Sequence, residues 1–473
     1  KTLLFNSVAF FIFLPVVVLL YYFLPQKYRW VVLLAASYFF YGSWKIEFLS
    51  LIMFSTLVDF YAAQALHRQK VTWRRNVFLG ISLSANLGLL FAFKYLVLFL
   101  PSVDPMIANI YTVDHPFLGF LLQGVYFSIP VGISFYTFQT LSYTLDVYHN
   151  RIEPEKHLGH FALFVSFFPQ LVAGPIERFS RLMPQLKAKH VVSYKRFQQA
   201  FRLMLYGFFI KMCIADNLSP LVDAVYDNPS TFTQWSTWFG TFAFGLQIYT
   251  DFAGYSLIAQ GAALCLGISL MDNFKTPYFS TSIGEFWNRW HISLSTWFRD
   301  YVYVPLGGNR VSLLRWVVNI LAVFIISGFW HGANYTFLIW GAIHGMLYLV
   351  ERLINANKRL PQTRFVLLAG GVAIFICVNI AWLFFRIDSL QQVPRHVNAL
   401  FQTEGVQNLT LSLPIITMLV TFLIAEILTY NSRFDRLLDR YPTVLRWIVY
   451  AGLIWCIAAW AGVTNHPFIY FQF

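Results

Sequence analysis

His331 stands in the run Ile325-Ile326-Ser327-Gly328-Phe329-Trp330-His331-Gly332-Ala333-Asn334-Tyr335, between two long apolar stretches. Forty positions earlier, His291 sits inside Phe286-Trp287-Asn288-Arg289-Trp290-His291-Ile292-Ser293. An imidazole at a glycine-marked break in a membrane span is costly to keep unless it is used. Because it titrates near neutrality, it can take a proton from a hydroxyl and return it to a leaving group. Acyl transfer from a thioester to an alcohol needs such a base, and the departing thiolate needs little acid assistance. A metal site would want a third ligand nearby, yet no carboxylate follows His331 and His344 until Glu351, so no metal is expected. No serine lies in a nucleophile-elbow pattern. Two alternatives stay open on the residues alone: histidines satisfied inside a helix bundle, and a transporter with broken helices and a midplane histidine.

The elements that must position these residues are membrane helices. Hydrophobic residues make up 58% of the chain and charged residues 12%, against about 25% charged in soluble domains. Apolar windows of roughly twenty residues, the length that crosses a bilayer, recur throughout. The expected crossings are 8–24, 30–44, 48–66, 76–100, 119–148, 197–215, 235–270, 316–330, 335–353, 365–385, 414–430 and 444–462. The Val8–Leu24 stretch reads as the first of them and not as a cleavable signal peptide. The lack of an initiator Met carries the expectation that one or more residues precede Lys1. Of the 34 Lys and Arg, 27 fall in loops on one side, four on the other and three (Lys94, Arg202, Lys211) within spans. The positive-inside rule makes the richer side cytoplasmic and both termini extracytoplasmic. The net charge of +13 then reflects topology and contact with anionic membrane lipids. Basic residues shared among six loops argue against a nucleic-acid partner. Cys213, Cys265, Cys377 and Cys456 read as small core residues. With no repeat or linker, residues 1–473 read as a single membrane domain.

Three segments depart from ordinary spans. Phe161 to Phe168 is too short to cross and runs into Pro169-Gln170-Leu171-Val172-Ala173-Gly174-Pro175, which would break a helix. Such backbone survives at membrane depth only against protein or a water-filled cavity. The long 235–270 stretch is expected to be one crossing with a kinked extension, interrupted at Asp251-Phe252-Ala253-Gly254-Tyr255-Ser256. Residues 285–303 project as one amphipathic helix: Phe286, Trp287, Trp290, His291, Leu294, Trp297, Phe298 and Tyr301 share an arc. Glu285, Asn288, Arg289, Ser293, Arg299 and Asp300 lie opposite. A helix of that kind belongs at a membrane surface.

The motifs Phe167-Phe168-Pro169-Gln170-Leu171-Val172-Ala173-Gly174-Pro175-Ile176, Phe286 to Gly308, and Phe329-Trp330-His331-Gly332 resemble the membrane-bound O-acyltransferases. The likeness is to their bacterial branch acting on exopolysaccharides such as alginate, and it extends to Phe468-Ile469-Tyr470-Phe471-Gln472-Phe473. It implies an all-α polytopic fold of about 11–13 transmembrane helices, forming a ring around a central tunnel with re-entrant and amphipathic helices. It implies that His331 is catalytic, with His291 a second important polar residue of the catalytic site. Substrate contacts would come from Gln170, Pro175, Asp251, Tyr255, Asn288, Arg289, Trp290, Arg299, Trp330 and Asn334. Where many relatives carry an aspartate after Gly-Tyr-Ser, this chain has Leu257. The implied donor is acetyl-CoA, drawn by Arg178, Arg181, Lys187, Lys189, Arg289 and Arg299, with no permanently bound cofactor. The acetyl group would pass across the bacterial inner membrane to an extracytoplasmic acceptor protein and on to a polysaccharide. Peptidoglycan or cellulose acetylation, transport of an acylated solute, a non-catalytic scaffold, and an acetyl-histidine route are the alternatives.

Overall fold

Lipid offers no partner to backbone N–H and C=O groups, so bilayer-length apolar stretches fold as helices. The computed structural model describes residues 3–95, 130–172, 174–357, 363–430, 432–461 and 468–471. Among the described residues the one extended pairing is an isolated parallel bridge between Phe232 and Gln407. Six helices are long and apolar enough to cross a membrane: Phe48–Arg68, Thr72–Tyr95, Leu313–His331, Tyr335–Ile354, Phe365–Arg386 and Thr443–Trp460. A seventh results if Leu413–Thr429 and Phe434–Arg440, bent by 77°, form one broken span. The protein is a polytopic, all-helical membrane protein. Twelve crossings were expected from hydropathy, and the difference lies in length and polarity. Val8–Phe23 and Ile133–Tyr148 have 16 residues each, about 24 Å of helix against roughly 30 Å of hydrocarbon. The 119–129 part of the fifth expected crossing lies outside the described residues.

The chain divides into two compact units, one of residues 1–197 and 262–271, the other of 198–261 and 272–473. In the first, Phe48–Arg68, Thr72–Leu90 and Ile133–Tyr148 pack around a buried polar clasp. Asp59 accepts from Ser82 Oγ at 2.5 Å and from Asn86 Nδ2 at 2.9 Å, and Thr140 donates to Asn86 Oδ1 at 3.3 Å. Polar groups that satisfy one another in this way hold helices together where hydrophobic contrast with lipid is lacking. The Phe161–Pro175 stretch is broken as expected. Helix Leu158–Ser166 ends at Phe167, and Phe168–Leu171 forms a single turn. The interruption is satisfied internally: Phe168 N–H donates to Ser37 Oγ at 3.1 Å, and Gln170 donates to the Phe164 carbonyl at 3.0 Å.

Gln234–Cys265 is one continuous helix of 32 residues, so the expected interruption at Asp251–Ser256, in the second unit, does not occur. A single internal glycine costs only about 1 kcal/mol in a helix, and here it is used for packing. A Cβ on Gly254 would lie 2.8 Å from the Gly207 carbonyl oxygen and 2.9 Å from Lys211 Cβ. Two helices therefore touch at Gly207 and Gly254. Lys211 itself stands in a π-helical segment, Phe209–Ala215. The Leu313–His331 and Tyr335–Asn357 helices flank an aromatic core in which Trp290, Trp340 and Trp382 are fully buried.

Candidate active site

The second expected helix, 285–303, is also corrected: it is broken at His291. Ile283–Arg289 and Ile292–Phe298 are separate helices, and His291 between them takes φ 42° and ψ 53°. A non-glycine residue held there costs about 1–3 kcal/mol and persists only when its surroundings impose it. They do so through the 273–275 segment, which accepts Ile292 N–H at the Asn273 carbonyl and donates Lys275 N–H to the Arg289 carbonyl, both at 2.9 Å. The expected apolar arc is still largely inward, with Phe286, Trp290, Leu294, Trp297 and Phe298 buried. Ser293, expected on the wet side, is buried as well, because the break turns it toward Asn273.

That turn gives His291 a defined tautomer. Asn273 Oδ1 lies 3.2 Å from His291 Nδ1, 3.3 Å from Ser293 N and 2.9 Å from Ser293 Oγ. A backbone N–H can only donate, so the Asn273 atom facing it is the oxygen. His291 Nδ1 must then carry the hydrogen, which leaves Nε2 as the basic nitrogen.

His331 is the last residue of its helix and is 4% exposed. Trp330, Trp340, Phe385 and Tyr470 surround its ring at centroid distances of 4.8, 5.2, 5.1 and 5.7 Å. The two imidazoles share neighbours: His291 lies 6.3 Å from Trp330 and 6.4 Å from Tyr470. Gly332 follows in extended backbone, where a Cβ would collide with the Phe337 ring at Cε2. Asn334 accepts Thr336 N–H at 3.1 Å and donates to the Asp388 carbonyl, a capping and loop-holding role.

The remaining expected site residues separate into groups. Trp290 belongs to the buried core, 4.9 Å from Trp382. Asn288 and Arg299 are exposed, and Arg299 pairs with its neighbour Asp300 at 2.9 Å. Arg289 pairs with Glu285 at 2.9 Å and lies over the Tyr430 ring at 4.7 Å. Burial opposes ionisation of Glu285, but the Thr281 amide and hydroxyl together with Arg289 outweigh it and hold the carboxyl below its ordinary range. Asp251 and Tyr255 are buried against residues 468–470. Gln170 and Pro175 are buried in the first unit, where the adjoining Glu177 accepts Met271 N–H at 2.5 Å. Burial pushes the Glu177 carboxyl up to about 7.

A cavity of about 530 Å³ reaches Asn273, the residue bonded to His291. Lys275, Arg289, Arg433 and Arg436 line it together with Asp272, and Ser256, Gln260, Asn273 and Glu426 supply further polar groups. Asn273 therefore both walls the cavity and orients His291. Asn273, Lys275, Glu426, Arg433 and Arg436 escaped the sequence reading. Arg433 and Arg436 could have been found from their place in a charged turn between apolar stretches; Asn273 carried no signal. Among the described residues no group of three or more His, Cys, Asp or Glu side chains is placed to hold a metal ion.

The family profile described as MBOAT, membrane-bound O-acyltransferase family, matches residues 155–390, a range that contains both histidines. The chain is 39% identical over 402 residues to the probable alginate O-acetylase AlgI of Pseudomonas aeruginosa, covering 84% of this chain and 74% of that one. It is 34% identical over 498 residues to the protein of the same description from Pseudomonas putida, covering 99% of each. The peptidoglycan O-acetyltransferase of Helicobacter pylori is similar at 35% identity over 440 residues, covering 85% of this chain and 81% of that one.

Proposed function

Because this chain belongs to the membrane-bound O-acyltransferase family, we propose that it passes acetyl groups from cytoplasmic acetyl-CoA to an extracytoplasmic acceptor protein, for O-acetylation of an alginate-like polysaccharide. It is an O-acetyltransferase; the donor, the direction and the acceptor are the proposal. The observation that carries it is the 530 Å³ cavity where exposed Lys275 and Arg436, beside the ion-paired Arg289 and Arg433, suit a polyphosphate and whose Asn273 wall is bonded to His291. Charge-assisted contacts from several cations are the usual means of holding such a group. Similarity to alginate O-acetylases over most of the chain supports the polysaccharide. The residues between Arg386 and Leu413 form little more than the seven-residue helix Val393–Ala399. That loop is small for a polymer-binding domain and favours a separate acceptor protein. Similarity to bacterial relatives supports the inner membrane, and the distribution of Lys and Arg over the expected crossings supports both termini outside.

In the reaction, His331 accepts the proton of an acceptor hydroxyl as its oxygen attacks the thioester carbonyl. A C–O bond forms, the tetrahedral adduct expels the thiolate as the C–S bond breaks, and the proton passes to sulfur as CoA leaves. His291 presents Nε2 toward the reacting groups while Asn273 fixes its other nitrogen. The cavity is lined as far as Asn273 and Phe274, and His331 is enclosed by aromatic rings. A purified preparation in vesicles, given acetyl-CoA labelled in the acetyl group, tests the proposal. Free CoA on the donor side with label on a lumenal acceptor supports it. Movement of intact solute without CoA release supports transport and refutes it.

A further inference from the structure

The Asp251–Ser256 stretch, expected to touch substrate, grips a segment more than two hundred residues away. Asp251 Oδ2 accepts the Ile469 N–H at 2.7 Å. Its other carboxylate oxygen lies 2.7 Å from Lys211 Nζ, which also pairs with Asp216 at 2.6 Å. All three charged side chains are buried, and removing one partner of such a set leaves an uncompensated charge, so the arrangement is stiff. Tyr255, under the Lys211 ammonium at 5.5 Å, packs on Phe468 at 4.7 Å, and Phe252 packs on Tyr470 at the same distance.

What this grip delivers is the Tyr470 ring, 5.7 Å from His331 and 6.4 Å from His291. His331 ends its helix, so neighbouring rings and not a following helical turn set its orientation. We propose that Tyr470 is a positioning residue for acetyl transfer: clamped by Asp251 through Ile469, its ring fixes the working orientation of the His331 imidazole. The inference rests on the reading of His331 as the base. Ring packing carries the effect, so phenylalanine is expected to substitute for it. A misplacement of about 1 Å in a reacting group can cost on the order of 100-fold in rate, which makes such a contact consequential at modest energy.

The test uses the full chain in nanodiscs, with acetyl-CoA as donor, hydroxylamine as a small acceptor and CoA release as the readout across pH. Tyr470→Phe is expected within twofold of the parent. Tyr470→Ala is expected to lower kcat at least tenfold, with KM for acetyl-CoA within twofold and the imidazole limb of the pH profile displaced. Ile469→Pro, which removes the N–H that Asp251 accepts while keeping Tyr470, is expected to reproduce the kcat loss. Tyr470→Leu replaces Tyr470→Ala if the latter does not fold. Parental kcat and pH profile in a folded, non-aromatic variant would overturn the inference. A loss in Tyr470→Phe equal to that in Tyr470→Ala would overturn the packing role as well. His331→Ala run in parallel separates the two levels. If it stays active, the assignment of the base fails. If it is inactive while Tyr470→Ala matches the parent, only the positioning role fails.

Discussion

Asn273→Ala strikes the point where cavity and histidine meet. The substitution strands His291 Nδ1–H and Ser293 N–H, both buried and both now served by Asn273 Oδ1. Ser293 Oγ loses the same acceptor but can rotate to another. At about 1–3 kcal/mol for each unsatisfied buried donor, the two together amount to roughly 2–6 kcal/mol. The imidazole can relieve its share by moving the hydrogen to Nε2, which removes the nitrogen that faces the chemistry. A positioned acid–base group supplies roughly 10²–10⁴-fold in rate, so kcat is expected to fall at least tenfold while KM for acetyl-CoA changes little. Asn273→Asp keeps an oxygen for all three donors and adds a negative charge. It is therefore expected to retain activity and to move the imidazole limb of the pH–rate profile upward, because a carboxylate favours imidazolium. Purified protein in nanodiscs, with CoA release followed from pH 5 to 9, makes the measurement. Parental kcat in a folded Asn273→Ala protein would refute the reasoning.

Exposed Lys275 and Arg436 line the cavity. Lys275→Ala with Arg436→Ala is expected to raise KM for acetyl-CoA several-fold at low salt and to leave turnover of a phosphate-free thioester, S-acetyl-N-acetylcysteamine, unchanged; equal effects on both donors would exclude a phosphate-binding role. Gly332→Ala places a Cβ against the Phe337 ring, which packs 4.8 Å from the Phe385 ring beside His331. Overpacking of that kind costs about 1–3 kcal/mol, and a fall in both melting temperature and kcat is expected; unchanged values would show that the Phe337 ring moves freely. Glu177 binds its proton more tightly folded than unfolded, since burial raises its carboxyl from 4.5 to about 7. Its contribution is full below pH 4.5 and is lost as pH rises through 7, by on the order of 3 kcal/mol. Glu177→Gln is expected to flatten the fall in melting temperature between pH 5 and 8; a variant that keeps the parental slope would place the titration elsewhere.

The membrane class and the break at Phe167–Pro175 were legible because apolar length and proline are local properties. The inward aromatic face of 286–298 was legible for the same reason. The break at His291 was not. A projection at 100° per residue assumes unbroken helix, and the left-handed turn is imposed by the Asn273 and Lys275 backbone, with no glycine to mark it. Asp251 read as a polar interruption because its partners, Lys211 and Ile469, are brought to it only by folding. Asn273 and the cavity cations share that property: their meaning lies in contacts between distant segments. The two histidines stood out together from the residues, which left His331 balanced between a base and a buried bundle residue; the family resemblance favoured the base.

The most direct measurement is acetyl transfer by His331→Ala protein, reconstituted with acetyl-CoA labelled in the acetyl group and checked for parental folding by thermal melting. The expected result is loss of transfer by about 10²-fold or more, the scale of a positioned acid–base group, with acetyl-CoA still bound. Transfer at the parental rate from a folded variant would contradict the assignment of His331 as the base.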